Sequence, residues 1–407
     1  VCTNLGQFLD KAARTQKCDK FGHLLKTMSH SLPPAVASAP NTSPALRLAG
    51  IEQARRTALL EHATLPAGWI APWIERSWQR CIDLGLQHHE VATFSQVSTP
   101  QMRQTLEANQ RLVQTAKPVL EHLARAIVNT RYFAILTNAC GVVVDASGAI
   151  DHSDPRAHLI TRVGTDLSER SIGTTAIGTA LTELQPVWLH RGEHFFETTS
   201  VYSCAGAPLF GPDGACVGML DVTGIDAQER PELKHLVVQS ASKIENALVT
   251  AQAHALLLRL NWPGNILGTD ADGILCLDAD GWVTGANPVA RQMVPGLAIA
   301  GVAAVHISEV FGIPYEQLFG AAKRPGSALE LPLWSGLRLQ AQVIARADAT
   351  HPLQAGSASA PTLALRDVEA AMIRQAVVDA RGSVGQAARA LGISRATVYR
   401  KLGQKST

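Results

Sequence analysis

The sequence predicts a multidomain α+β protein: an N-terminal helical flank, two successive antiparallel-sheet units and a C-terminal three-helix segment of helix-turn-helix form. Three observations carry this. Apolar residues recur at helical spacing from about Ala45 to Thr130 and again after residue 363, whereas short apolar runs bounded by turn residues dominate from Tyr132 to Ile344. The stretches Asn138-Ala-Cys-Gly141, Phe210-Gly-Pro-Asp-Gly214 and Asp278-Ala-Asp-Gly281 each join two such runs, as hairpin turns do. From Gly382 to the end there are five Arg or Lys and no Asp or Glu, a local excess that the net charge of +2 over 407 residues conceals.

Residues 1–44 stand apart. The first Met is Met28, and a Ser/Pro/Ala-rich stretch follows it to Pro44. Translation is expected to begin at Met28, or the segment to be a poorly ordered extension. Residues 45–130 form the helical flank. Ile74, Trp78, Cys81 and Ile82 share one face, and Leu106, Leu112, Val113, Leu120, Leu123 and Ile127 continue the pattern. Trp69, Trp73 and Trp78 are read as core packing. In the first sheet unit, 131–250, strands are expected at Phe133–Leu136, Val142–Val144, Pro186–Leu189, Ser203–Phe210 and Ala215–Val222. Its helices are expected at Thr174–Glu183 and Pro231–Leu260. The second unit, 251–349, takes in the end of that long connecting helix. Strands Gly273–Leu277 and Trp282–Thr284 follow, then a helix from Asn287 and a hairpin of Ala328–Leu333 with Gly336–Ile344. Residues 350–362 read as a flexible linker.

In the last segment, 363–407, Leu365, Val368, Met372, Ile373, Ala376 and Val377 make one apolar stripe, and Gly382 ends that helix as a left-handed cap. Ser383 caps the next helix, with Gln386 completing a capping box. Ala387, Ala388 and Leu391 give it a small buried face. Gly392 supplies the turn and Ser394 caps a third helix, Arg395–Leu402, with Val398 and Leu402 inward. Arg395, Thr397, Tyr399, Arg400 and Lys401 then face outward. Residues at the start of such a helix reach base edges in the major groove, while flanking cations and hydroxyls hold phosphates. Ser383, Ser394, Arg395, Thr397, Tyr399, Arg400 and Lys401 are therefore the candidate contacts to double-stranded DNA. A plain helical bundle with a solvated basic face would not require this spacing of Gly, Ala-Ala, Leu-Gly-Ile-Ser-Arg and Tyr-Arg-Lys-Leu.

Composition excludes other classes. No apolar run approaches 18 residues, so no membrane span is expected, and no continuous apolar stretch marks a secretory signal. Seven Cys lie scattered without a Cys-x-x-Cys pair, which suits the reducing cytoplasm. Neither a cofactor nor a catalytic constellation is expected.

The last segment closely resembles the Fis-type DNA-binding domain that ends bacterial enhancer-binding activators. Gly164-Thr-Asp-Leu-Ser-Glu-Arg-Ser-Ile-Gly-Thr-Thr-Ala-Ile-Gly-Thr-Ala-Leu181, the Pro186–Phe195 stretch, the Cys204–Gly224 block and Glu75-Arg-Ser-Trp-Gln-Arg-Cys-Ile-Asp-Leu-Gly-Leu86 together resemble the GAF sensor domain, with its helical flank, of the acetoin and glycerol catabolism regulators. Residues 272–346 resemble a PAS domain. The resemblance implies a GAF-like domain at 131–250, a PAS-like domain within 251–349 and a Fis-type domain at 363–407. It also implies a cytoplasmic, homodimeric regulator sensing a small-molecule effector (a catabolic alcohol, diol or ketone), with RNA polymerase as a further partner. Two positions depart from the family: Leu167 stands where Trp is usual and Thr175 where Asn is usual. Most members also carry an ATPase module whose phosphate loop needs Gly-Lys-[Ser/Thr], and no Gly-Lys dipeptide occurs here. The expectation is regulation independent of sigma-54, by binding alone.

For the effector, the resemblance places a pocket between sheet and covering loops. Ser171, Thr174, Thr175, Trp188, His190, Glu193, His194 and Cys204 are the candidate contacts: hydroxyls, ionisable groups, a thiol and an aromatic wall. The alternative is a metal- or redox-sensing regulator using His152, His158, Cys140, Cys204 and Cys216, although their spacing is not that of a metal site. Thiol catalysis would need an accessible thiolate, and Cys204 and Cys216 fall in apparent core strands.

Overall fold

The computed structural model describes residues 43–94, 97–299, 305–323 and 328–345, and in the C-terminal segment 377, 380, 383–390, 395 and 398. Two compact units are distinguished, residues 1–346 and 347–407.

The flank begins with α1 (Pro44–Arg55), capped by Ser43 and started by proline, and continues through a π-helical turn at Arg56–Leu60. Helix α2 (Pro72–Asp83) buries Ile74, Ser77, Trp78 and Cys81 on one face. Helix α3 (Thr99–Ala108) opens with a capping box of Ser98 and Gln101, and α4 (Gln110–Ala126) buries Leu112, Ala116, Leu120 and Leu123. Long connections separate α1, α2 and α3, whereas Asn109 alone lies between α3 and α4. Leu106, expected on the apolar face, is 37% exposed because α3 stands off the core.

The first sheet comprises β1 (Tyr132–Asn138), β2 (Val143–Gly148), β3 (Val187–His190), β4 (Tyr202–Phe210) and β5 (Cys216–Ile225), in the order β2-β1-β5-β4-β3 with every neighbour antiparallel. Helices α5 (Pro155–Thr161), α6 (Glu169–Ile172) and α7 (Ala176–Glu183) lie between β2 and β3. Helix α8 (Leu233–Thr250) packs with α4 on one face of the sheet; α2, α5 and α7 contribute to the core on the other.

The second sheet corrects the sequence reading. The long helix, expected to run to Leu260, stops at Thr250, and Leu256–Asn261 is instead strand β6. It lies at the centre of the order β8-β7-β6-β10-β9, between β7 (Gly273–Leu277) and β10 (Arg338–Ala345). The opening leucines Leu256–Leu258 have no period to separate helix from strand; here pairing on both edges decides. Strand β8 (Val283–Ala286) returns from β7, and β9 (Ala328–Pro332) pairs with β10. Helices α9 (Pro288–Met293), α10 (Gly296–Ile299), α11 (Ile307–Val310) and α12 (Tyr315–Ala322) connect β8 to β9.

The two sheets are fastened together. Val249 at the end of α8 is buried with Leu257, Ile274 and Cys276. At the tip of the β4–β5 hairpin, the Pro212 carbonyl accepts from the Ala286 amide at 3.0 Å and from Arg291 Nη2 at 2.7 Å.

In the C-terminal unit, α13 (Val384–Ala390) follows Ser383, and Val377 and Val384 pack on buried Ala388 and Val398. Arg395 is exposed, yet a Cβ on Gly385 would sit 3.2 Å from its Nη2, so the guanidinium lies close over that glycine. Gly382, Ser394, Thr397, Tyr399, Arg400, Lys401, Leu402, the 350–362 linker and Met28 lie outside the described residues.

Candidate functional site

The pleat of the first sheet sorts its side chains into two layers. Leu136, Leu220, Val222, Ala205 and Ala207 point towards α4 and α8. Their alternates, Ile135 on β1, Asp221 and Thr223 on β5, and Tyr202 and Cys204 on β4, floor a cavity of about 30 Å³. Register places Ile135 opposite Asp221 and Cys204 opposite Thr223. The roof comprises Phe94, Ile160, Leu167, Ile172 and the first turn of α7, with His194 and Thr199 from the β3–β4 connection.

Four polar groups of this cavity form one connected line. Thr223 Oγ1 donates to Asp221 Oδ2 and lies 3.2 Å from Cys204 Sγ, which in turn lies 3.5 Å from His194 Nε2. His194 Nδ1 is 2.9 Å from the Arg191 carbonyl, which can only accept, so Nδ1 carries the proton and Nε2 is an acceptor. Burial pushes the His194 pKa down to about 4, keeping the ring neutral. Burial pushes Asp221 up to about 7, against the lowering effect of the Thr223 hydroxyl. Asp221 Oδ1 is fully buried and has no hydrogen-bond partner among the described residues. The Cys204 thiol is held well above its ordinary range by burial and by Asp221, so it is not a thiolate nucleophile.

The N-terminal helices hold the loop that carries His194. Arg55 on α1 donates to the carbonyls of Gly192 at 2.9 Å, His194 at 2.5 Å and Phe195 at 3.0 Å. Trp78 Nε1 donates to the Glu193 carbonyl at 3.0 Å, and Arg47 pairs with the Glu193 carboxylate at 2.6 Å. On α2, Ser77 donates to Glu169 at 2.7 Å and Arg80 bridges Glu169 and Glu183, which ties α6 and α7 to the flank.

Of the eight effector contacts expected from the sequence, Thr175, His194 and Cys204 line this cavity. Ser171 donates to Asp166, and Thr174 is sealed against Ser77. Trp188 packs in the layer under α4 and α8; His190, two residues on, stacks parallel to it and bonds Ser203, so the pleat carries both away from the cavity. Glu193 is engaged by Arg47 and by the His190 amide. Leu167 and Thr175, the two departures from the family pattern, both line the cavity. Sequence reasoning missed Asp221, Thr223, Tyr202 and Phe94. The available signal was a carboxylate and a hydroxyl at alternate positions inside the apolar run Met219–Val222 and just beyond it. Among the described residues, no group of three or more His, Cys, Asp or Glu is arranged to hold a metal ion. Of the residues considered for a metal, Cys140, His152 and His158 are exposed while Cys204 is buried.

Residues 49–246 match the N-terminal domain of MimR, and residues 364–404 match the Fis family of bacterial regulatory proteins. The chain thus carries a MimR-type N-terminal domain together with a Fis-type helix-turn-helix, and the relatives it resembles are transcriptional regulators of the acetoin- and propane-catabolism type. It is 29% identical to the acetoin catabolism regulatory protein of Cupriavidus necator over 61% of this chain and 37% of that one. It is 30% identical to the propane 2-monooxygenase operon transcriptional activator MimR of Mycolicibacterium goodii over 55% of this chain and 39% of that one. The matched part is thus little more than a third of these relatives' length. Among solved structures, the E. coli DhaR(N)-DhaL complex aligns with a TM-score of 0.41 and 15% identity, over 68% of this chain and all of that one. Among the described residues, no helix is long and apolar enough to cross a membrane.

Proposed function

We propose that the chain is a cytoplasmic, non-enzymatic, DNA-binding regulator in which occupancy of the first-sheet cavity by a small catabolic metabolite (an alcohol, diol or ketone) controls the C-terminal helix-turn-helix. The observation that carries this reading is the pairing in one chain of two features. One is a mostly apolar cavity with an unpartnered buried carboxylate oxygen; the other is a Fis-type segment presenting the exposed Arg395. In this reading residues 131–250 are the GAF-like sensor with 45–130 as its flank, 251–349 a PAS-like relay whose sheet starts at Leu256, and 363–407 the DNA-binding domain. Ser383, Ser394, Arg395, Thr397, Tyr399, Arg400 and Lys401 form its DNA face. A homodimer sets two recognition helices about 34 Å apart, one turn of B-DNA. The absence of a Gly-Lys dipeptide supports regulation without ATP hydrolysis or sigma-54 remodelling, by blocking or recruiting RNA polymerase.

The test is a gel-shift titration of the full chain on the DNA upstream of its own gene. A discrete complex is expected, weakened in Arg395→Ala and in Arg400→Ala, with the salt slope reduced by roughly one unit per lost phosphate contact. Unchanged affinity in both variants refutes the assigned face. ATP hydrolysis above background by the purified chain refutes the binding-only mode.

A further inference from the structure

Arg395 rests on a glycine. A Cβ built on Gly385 would lie 3.2 Å from Arg395 Nη2 and 3.3 Å from both Cζ and Nε. An edge-on approach between two guanidinium nitrogens would bring them clearly nearer than the carbon they flank. Near-equal distances therefore mean that Gly385 meets mainly the flat face of the group. Gly385 precedes the buried Ala388, and Arg395 the buried Val398, by three positions each. Positions three apart are neighbours on a helix surface, so the contact continues the Ala388–Val398 packing outwards. The backbone of Gly385 lies within α13 and lacks the positive φ that would call for glycine. Alanine is the better helix former there. What the missing side chain provides is room for the arginine.

All five N–H donors of a guanidinium lie in its plane. A face laid against α13 leaves the in-plane fork to bond elsewhere, and that fork is the part that matches a base edge in the major groove. A long side chain loses rotamer freedom when it docks, and a seat imposes part of that order before DNA arrives. Arg395 is exposed, so a side chain added at 385 displaces the arginine and not the core. We infer that Gly385 is a positioning residue for DNA recognition: it seats the Arg395 guanidinium by its face, so that Arg395 reads a base edge instead of serving as a loose cation for phosphate. This rests on the reading of Arg395 as a DNA contact and adds the residue that orients it.

A binding titration of the full chain tests this, on the best duplex that wild type selects from a random-sequence pool and on a scrambled duplex of equal length. Gly385→Met puts an unbranched helix former over the seat. It is expected to bind the selected duplex about three- to tenfold more weakly, the cost of ordering one long side chain. On the scrambled duplex it is expected to stay within about twofold of wild type, because the charge is kept. Gly385→Ala is expected to lose less, in the same direction. Both are expected to melt no lower than wild type, since each replaces glycine within a helix. In the Arg395→Ala background, Gly385→Met is expected to cost no more than about twofold, since no guanidinium is left to seat. Wild-type affinity of Gly385→Met for the selected duplex overturns the inference and leaves Arg395 as a DNA contact. Tighter binding also overturns it, because Gly385 would then hold the arginine away from DNA. An equal loss in the Arg395→Ala background overturns it as well, because the methionine itself would then obstruct the duplex. Wild-type binding by Arg395→Ala, or selection of no preferred sequence, overturns the DNA-face reading and this inference with it. Should Gly385→Met melt lower than wild type, Gly385→Ala, which adds only the Cβ, decides by the same comparison.

Discussion

Arg55 and His194 are joined although 139 positions separate them: the buried guanidinium donates to the His194 backbone carbonyl while that residue's ring faces the cavity. The same guanidinium also takes the carbonyls of Gly192 and Phe195, and it lies 5.9 Å from the Trp78 ring. One arginine from the flank thus satisfies three acceptors of a loop that would otherwise bury them unpaired.

Replacing Arg55 by Met keeps most of the apolar stem and removes all three donors. The expected loss is about 2–4 kcal/mol, from stranded carbonyls. A lower melting temperature is expected, together with faster hydrogen exchange at the His194 amide. Unchanged exchange there would show that the loop holds itself.

The pH dependence of stability has a calculable sign. Asp221 titrates near 7 in the fold and near about 4 in an unfolded chain. Below pH 4 both states hold the proton, so nothing is lost; as pH rises towards 7 only the fold holds it, and stability falls. His194, at about 4 in the fold and about 6.5 unfolded, acts oppositely: its contribution is present above 6.5 and lost as pH falls towards 4. Asp221→Val removes the first effect alone. Its melting temperature relative to wild type should climb from pH 4 to pH 8, by an equivalent of no more than about 4 kcal/mol. A pH-independent difference would place the Asp221 titration elsewhere.

Gly178 in α7 looks like a position where alanine should help, since alanine favours a helix by about 1 kcal/mol. A Cβ there would lie 2.6 Å from the Glu169 amide nitrogen and 2.9 Å from its Cα, both backbone atoms. Gly178→Ala is therefore expected to destabilise by about 1–3 kcal/mol and to loosen the roof of the cavity. Chemical denaturation checks it, and a more stable variant would show that α6 can move aside.

Arg291→Met should free the tip of the β4–β5 hairpin. Arg291 ties the Pro212 and Leu297 carbonyls, at 2.7 and 2.9 Å, leaving Ala286 as the remaining donor to Pro212. Protection of the Ala286 amide is expected to fall severalfold in hydrogen exchange. Equal protection would mean that the backbone bond suffices.

The hairpins of both sheets were legible because glycine and aspartate mark their turns: Gly141, Gly214 and Gly281 all have positive φ, where only glycine is at ease. The helical face of Ile74, Trp78 and Cys81 was legible from its period. Strand β6 was not, because it opens on three consecutive leucines without a period and its partners β7 and β10 are assigned only by folding. In the site, Thr175, His194 and Cys204 emerged from family-like blocks, but blocks carry no side-chain direction. Trp188 and His190 sit two apart on β3, across from Ala205 and Ser203, and the pleat sends them away from Cys204. Asp221 was concealed by its apolar neighbours, although a carboxylate inside such a run is the more informative residue.

The burial of Val249 against Leu257, Ile274 and Cys276 reaches beyond stability. Scissors placed in the short connection at 251–255 would cut the backbone without finding a physical seam. The first half would expose the apolar end of α8, and the second would lose the residue that covers its sheet. Anyone grafting this sensor onto another output, in the laboratory or by gene fusion in evolution, has to carry both sheets as one cassette.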